Sequence, residues 1–267
     1  MVEWLRFLIL GLIQGLTEPL PISSSGHMVM AQHFLEIPNL DYFLEIFLHF
    51  ASLIAIVILF KERILKLIVG NWQYVIKRNR EYKADFDYAI LIVIGVIPAA
   101  LIGVFFKSFF EGFLTLLAVG ISLLITGTFL FFVQKQSVEN TKTTISMTDA
   151  LIVGIVQVLA LFPGISRSGS TFVGGLFRKI KFETLIEFSF MLYIPISLGG
   201  MIFELFEVES FTAYQPLSLT VAFIATLIST YYAFKWFVHL VKQGNLKYFG
   251  FYCYIAGTFA IILSLLT

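Results

Sequence analysis

Two stretches of this chain place hydroxyls, an imidazole, a carboxylate and a guanidinium among glycines, prolines and apolar residues. The first runs from Gly11 to His27 and contains Gln14, Glu18, Ser23, Ser24, Ser25, Gly26 and His27. The second runs from Gly154 to Thr171 and contains Gly164, Ser166, Arg167, Ser168, Gly169 and Thr171. Laid over one another without a gap, at an offset of 143 residues (Gly11 on Gly154), they match Gln14 with Gln157, Ser23 with Ser166, Ser25 with Ser168 and Gly26 with Gly169. The mismatches carry the chemistry. Glu18 and His27 occur only in the first copy, and Arg167 replaces Ser24 in the second, so one composite site built from both halves is expected.

Each residue type has a physical use there. Backbone N–H groups at the start of a helix, next to serine hydroxyls and glycines, form a ready cradle for an anion such as phosphate. Arg167 adds a permanent charge whose planar fork matches phosphate oxygens. A nucleophile, an acid–base group, a carboxylate and a charge clamp together suit phosphoryl transfer better than binding alone. The roles stay open at this level. Ser24 could attack phosphorus with His27 as its base, His27 could itself be the nucleophile, or Glu18 could activate water or hold a divalent metal. The reading favoured is Ser24 as nucleophile, His27 as proton carrier and Glu18 as base or metal ligand. Glu45 and Glu187 lie in apolar runs at nearly equivalent places in the two copies and are expected to support the centre from behind. His33 and His49 read as structural.

The elements that must position these groups follow from composition. Of 267 residues, 58% are hydrophobic, 13% are charged and 30 are Phe, and the mean hydropathy is +0.91. Such a chain cannot cover itself with polar surface in water and is expected to be an all-α integral membrane protein. A net charge of +1 says nothing about nucleic acid or acidic partners, no nucleic-acid partner is expected, and the lone Cys253 excludes an intrachain disulfide. Apolar runs long enough to cross a bilayer occur at about 41–60, 86–106, 112–133, 184–206, 216–238 and 248–267. Four shorter pieces, at about 2–17, 24–35, 147–161 and 168–179, are joined in pairs through the two motifs and read as re-entrant hairpins.

One re-entrant pair plus three crossings makes a repeat, about 1–135 and about 144–267 in a single membrane domain. An odd number of crossings inserts the second copy upside down. Lys61–Lys83 has no counterpart of that size and reads as an amphipathic surface helix. Fifteen of the eighteen Lys and Arg fall on one side under this topology, among them Lys61, Arg63, Lys135, Lys142, Arg178 and Lys247, whereas Glu36, Asp41, Glu111, Glu204, Glu207 and Glu209 fall on the other. The positive side is the cytoplasmic one. The first hairpin should then enter from the exterior and the second from the cytoplasm, with their tips meeting near the midplane.

At the motif residues the chain resembles the undecaprenyl-diphosphate phosphatase family, the bacitracin-resistance integral membrane enzymes. Gln14 through His27 match its first signature, Glu/Gln-Gly-x-Thr-Glu-x-x-Pro-x-Ser-Ser-Thr/Ser-Gly-His, and Pro163 through Thr171 match its second, Pro-Gly-x-Ser-Arg-Ser-Gly-x-Thr. The resemblance implies hydrolysis of undecaprenyl diphosphate to the monophosphate that carries cell-wall precursors, in the bacterial plasma membrane, with a cleft facing the exterior. It also implies a divalent cation, Mg2+ or Ca2+, a polyprenyl diphosphate as partner, and a homodimer. By position it gives Glu18, His27 and Arg167 essential roles, makes Ser24 the candidate nucleophile, and makes Ser23, Ser166 and Thr171 phosphate contacts. Gln14 stands where the family often has Glu, which leaves Glu18 the only acidic residue of the first motif. The competing expectation is a transporter of a lipid phosphate or organic anion, since inverted repeats with broken helices also suit alternating access.

Overall fold

A computed structural model describes residues 2–35, 37, 42–136, 142–206, 214–243 and 245–266. Glu36, Asp41, Glu207 and Glu209 of the charge pattern lie outside the described residues. The first half contains α1 (Glu3–Thr17), α2 (Ser24–Leu35), α3 (Tyr42–Leu59), α4 (Lys61–Val75), α5 (Lys83–Phe105), the short α6 (Lys107–Glu111) and α7 (Leu116–Gln136). The second contains α8 (Met147–Gln157), α9 (Arg167–Phe177), α10 (Phe182–Leu205), α11 (Pro216–Lys242) and α12 (Lys247–Leu266). Five of these helices are long and apolar enough to cross a membrane, and a sixth span arises if α3 and α4, bent by 77° at Phe60, count together. The bend releases α4 from the bundle, so its face of Leu65, Ile68, Val69, Trp72 and Val75 stays exposed.

Packing between the halves has the pattern of a two-fold. The first-half helix α1 lies on α11, and its counterpart α8 lies on α5; α3 meets α11 as α10 meets α5; α7 pairs with its own counterpart α12. The glycines that open the repeats explain the first two crossings. A methyl on Gly11 would come within 2.5 Å of the Ala222 carbonyl on α11, and one on Gly154 within 2.4 Å of the Gly95 carbonyl on α5. Small residues let helix backbones approach this closely in a medium where apolar burial itself drives little association. Buried hydroxyls join in: Thr226 Oγ1 donates to the Gly11 carbonyl at 3.1 Å, and Thr230 Oγ1 to Ser52 Oγ at 3.1 Å. Outward-facing Leu12, Leu16, Val93, Ile97, Leu101, Ile224, Ile228 and Ile255 are exposed, as side chains solvated by lipid tails should be.

The start of α8 is fixed by charge. Ser146 and Asp149 form a reciprocal capping box, satisfying backbone donors that the helix leaves unpaired. The fully buried Asp149 carboxylate also takes Arg178 Nε at 2.8 Å and Lys142 Nζ. One cluster thereby fastens the second hairpin's entry and exit. In the first half the neighbouring crossing is tighter still: a methyl on Gly15 would fall 2.4 Å from the Thr226 carbonyl. Gly15→Val should therefore lower stability by about 1–3 kcal/mol, as overpacking does, seen as a reduced melting temperature of the protein purified in detergent; an unchanged melting temperature would contradict this packing.

Candidate active site

The two hairpin tips touch. Ser168 Oγ donates to the Leu20 carbonyl at 3.5 Å, and a methyl on Gly26 would lie 3.0 Å from Gly164 Cα. Gly164 itself has φ +94°, a conformation that favours glycine. Within each tip the same bonds recur. Ser23 Oγ meets Ser25 Oγ at 3.2 Å and accepts the Gly26 N–H at 3.3 Å; Ser166 Oγ meets Ser168 Oγ at 3.2 Å and accepts the Gly169 N–H at 3.1 Å. The repeat is thus repeated in hydrogen bonds as well as in letters.

The copies part at one backbone torsion. Ser166 is extended, with φ −73° and ψ 126°, whereas Ser23 is left-handed at φ 69°. A non-glycine residue in that region costs of order 1–3 kcal/mol and persists only where its surroundings hold it. His27 supplies the hold: its Nδ1 lies 2.7 Å from the Ser23 carbonyl and its Nε2 2.7 Å from the Tyr252 hydroxyl on α12. A carbonyl accepts only, so Nδ1 donates, and in the neutral ring Nε2 accepts from Tyr252.

Beyond this turn, Ser24 Oγ donates to Glu18 Oε2 at 2.5 Å, and Gln14 Nε2 donates to the same oxygen at 3.0 Å. The other carboxylate oxygen, Oε1, faces Arg167 Nη2 at 3.9 Å. The guanidinium lies with Cζ 4.2 Å from the Tyr193 ring centre and 5.5 Å from that of Phe190, both on α10, and Nη1 reaches the Ser189 carbonyl at 3.4 Å. Glu18 and Arg167 are both largely buried, with side chains 8% and 17% exposed. At 3.9 Å they attract one another without being hydrogen-bonded, so each keeps bonding capacity for a third group. A cavity of about 430 Å³ is lined by Glu45, Leu161, Pro163, Pro195, Gly199 and Glu204, among others, and not by Glu18, Ser24 or Arg167 themselves.

Gln14, Glu18, Ser24 and Arg167 are therefore brought together. His27 is not bonded to Ser24: both ring nitrogens are engaged elsewhere, and the hydroxyl proton points at Glu18, so the carboxylate rather than the imidazole is placed as its acceptor. The hydroxyls of Ser23, Ser25, Ser166 and Ser168 cap helix starts or bond one another. Thr171 Oγ1 donates to the Ser168 carbonyl at 2.9 Å and meets Ser189 Oγ at 2.6 Å. Glu187 accepts Arg63 Nε at 2.8 Å and forms a lock between α4 and α10, not a support of Arg167. Glu45 lines the cavity, and its backbone carbonyl meets His49 Nδ1 at 3.0 Å. His49 Nε2 in turn lies 3.8 Å from Glu18 Oε2.

The residues do not fit a resident divalent cation. Glu18 is the one carboxylate at the centre, its Oε2 is already an acceptor twice over, and among the described residues no three His, Cys, Asp or Glu side chains converge for a metal. Tyr193, Phe190, Tyr252 and His49 were not singled out as site residues in the sequence. The aromatics carried no local signal, while a histidine within an apolar span was itself a reason to suspect function.

A family model described as bacitracin resistance protein BacA matches residues 7–259. The chain belongs to this family. Curated BacA-family relatives include Undecaprenyl-diphosphatase 1 of Bacillus cereus, 44% identical over 261 residues that cover 97% of each chain. Undecaprenyl-diphosphatase 1 of Bacillus licheniformis is 41% identical over 97% of this chain and 98% of its own. Undecaprenyl-diphosphatase of Oceanobacillus iheyensis is 38% identical over 96% and 95%. The BacA match spans both hairpins and thus both contributors to the composite site.

Glu18→Gln should lower kcat about 10²–10⁴-fold, the usual effect of deleting a general base, whereas Glu187→Gln should lower it less than about tenfold and act mainly on melting temperature; equal kinetic losses would place Glu187 in the site after all. Because His27 fixes the Ser23 turn, His27→Gln, which can keep one of its two bonds, should retain more activity than His27→Ala in the same assay.

Proposed function

We propose that this protein hydrolyses undecaprenyl diphosphate to undecaprenyl phosphate and inorganic phosphate, in the bacterial plasma membrane and from a cleft open to the exterior. The observation that carries the reading is the 2.5 Å bond from Ser24 Oγ to Glu18 Oε2 beside the guanidinium of Arg167. A nucleophile, its proton acceptor and a charge for the phosphoryl group stand in one buried place. The names of the relatives support a polyprenyl diphosphate as the substrate.

In the proposed sequence Arg167 binds the terminal phosphate and offsets charge that spreads over its oxygens in the transition state. Ser24 Oγ forms a bond to the terminal phosphorus as its proton passes to Glu18 Oε2. The bond from phosphorus to the bridging oxygen breaks, and the lipid monophosphate leaves with the electron pair. Glu18 releases that proton to solvent, then takes one from a water whose oxygen bonds to the phosphoserine phosphorus, and returns it to Ser24 Oγ as the phosphorus–Oγ bond breaks and inorganic phosphate departs. Gln14 keeps Glu18 turned toward Ser24 throughout. A divalent cation, if the activity uses one, would come with the diphosphate it neutralises, since one or two carboxylates plus substrate phosphates are the usual magnesium environment. Pairing of two copies in the membrane remains what the family resemblance implies.

The purified protein supplied with undecaprenyl diphosphate and Mg2+ should release phosphate, and Arg167→Ala should reduce release by about 10²–10³-fold, as loss of a transition-state charge does. No release from the unmodified protein defeats the reading. The nucleophile is tested separately with substrate labelled in its terminal phosphate: acid quenching at early times should leave label on the protein, absent in Ser24→Ala. A Ser24→Ala protein of full activity would transfer the attack to a water activated by Glu18.

A further inference from the structure

A buried arginine and glutamate a few ångströms apart should close into a bidentate pair, because opposite charges attract strongly where bulk water does not screen them. Glu18 and Arg167 instead stop at 3.9 Å. Something holds each of them back. For Arg167 the holders are the ring faces of Tyr193 and Phe190 and the Ser189 carbonyl. For Glu18 they are Gln14 and Ser24, both neutral donors, and the imidazole of His49.

His49 lies on α3, outside both motifs. Its ring is anchored by Nδ1 to the Glu45 carbonyl, one turn earlier, at 3.0 Å. Since that carbonyl only accepts, Nδ1 carries a hydrogen, and it is Nε2 that confronts Glu18 Oε2 at 3.8 Å. A bare lone pair facing a carboxylate is repelled, so this arrangement is stable with a hydrogen on Nε2 as well. Glu45 on the same helix and Glu204 from α10 line the nearby cavity. Glu18 therefore sits between two nitrogens, with Arg167 Nη2 facing Oε1 and His49 Nε2 facing Oε2.

We infer that His49 is a positioning residue that holds Glu18 away from Arg167, keeping Oε2 on the Ser24 hydroxyl and leaving the guanidinium open to phosphate. It touches no reacting atom. Its effect passes through Glu18: without it the carboxylate turns toward Arg167, the anion cradle closes on itself, and Ser24 loses its proton acceptor. The inference deepens the proposed phosphatase reading and rests on it for the catalytic arm of the test, while the binding arm stands apart from catalysis.

The binding arm measures inorganic phosphate, as the probe, by the concentration dependence of the melting temperature of the detergent-purified protein. His49→Leu should weaken phosphate binding by about tenfold, the size of coupling expected between neighbouring charged groups, and His49→Gln, whose amide can donate to Glu18, should recover most of that loss. In the catalytic arm His49→Leu should raise KM for undecaprenyl diphosphate as well as lower kcat, again with recovery in His49→Gln. In the double variant Glu18→Gln/His49→Leu the additional loss of phosphate affinity should vanish, because the carboxylate that blocks Arg167 is gone. Unchanged phosphate affinity in a folded His49→Leu protein overturns the inference, and so does an equal loss in His49→Leu and His49→Gln. Absence of phosphate release from the unmodified protein would instead overturn the phosphatase reading and leave the binding arm intact.

Discussion

The structure depends on keeping two opposite charges near one another, unjoined, in a place without bulk water. Burying an arginine in a membrane protein is costly enough that it must be matched by an anion. Here the built-in match, Glu18, is held at 3.9 Å. Much of the neighbourhood serves that separation: stacked rings under the guanidinium, amide, hydroxyl and imidazole around the carboxylate. The two charges belong to different repeats, so the separation also depends on how the halves are docked. That docking is set by backbone-to-backbone crossings at Gly11 and Gly154, where no side chain could be inserted.

Much of this was legible in the letters. The hydropathy runs placed the half-helices and spans close to α1–α3, α5 and α7–α12, because in lipid every backbone group must be satisfied within its own segment and length alone becomes diagnostic. The repeat placed Arg167 opposite the first motif, and it faces Glu18 there. Glu18, Ser24 and Arg167 were recoverable because each is chemically out of place in an apolar hairpin.

What remained hidden was which partner each polar atom would take. Serines in a broken helix can bond ligand or backbone, and spacing does not decide between them. The structure gives the hydroxyls of Ser23, Ser25, Ser166 and Ser168 largely to capping and to one another. His27 stands three residues from Ser24, but helical geometry turns it one way, toward Tyr252, and the serine the other, toward Glu18. Glu187 looked like a counterpart of Glu45, yet Arg63, delivered by the bend after α3, claims it. The His27–Tyr252 and Arg63–Glu187 pairings join residues more than a hundred positions apart, and periodicity carries no information about them.

The left-handed Ser23 opposite the extended Ser166 reaches beyond local strain. Two tips with nearly the same serine and glycine pattern follow different backbone paths, so they are no longer interchangeable parts. Restoring sequence symmetry, by giving the second hairpin a serine at 167 or the first an arginine at 24, would not restore symmetry of aim. In the proposed reaction the duplicated halves are specialists, one delivering a reactive oxygen and the other a charge, and neither could serve as its own mate.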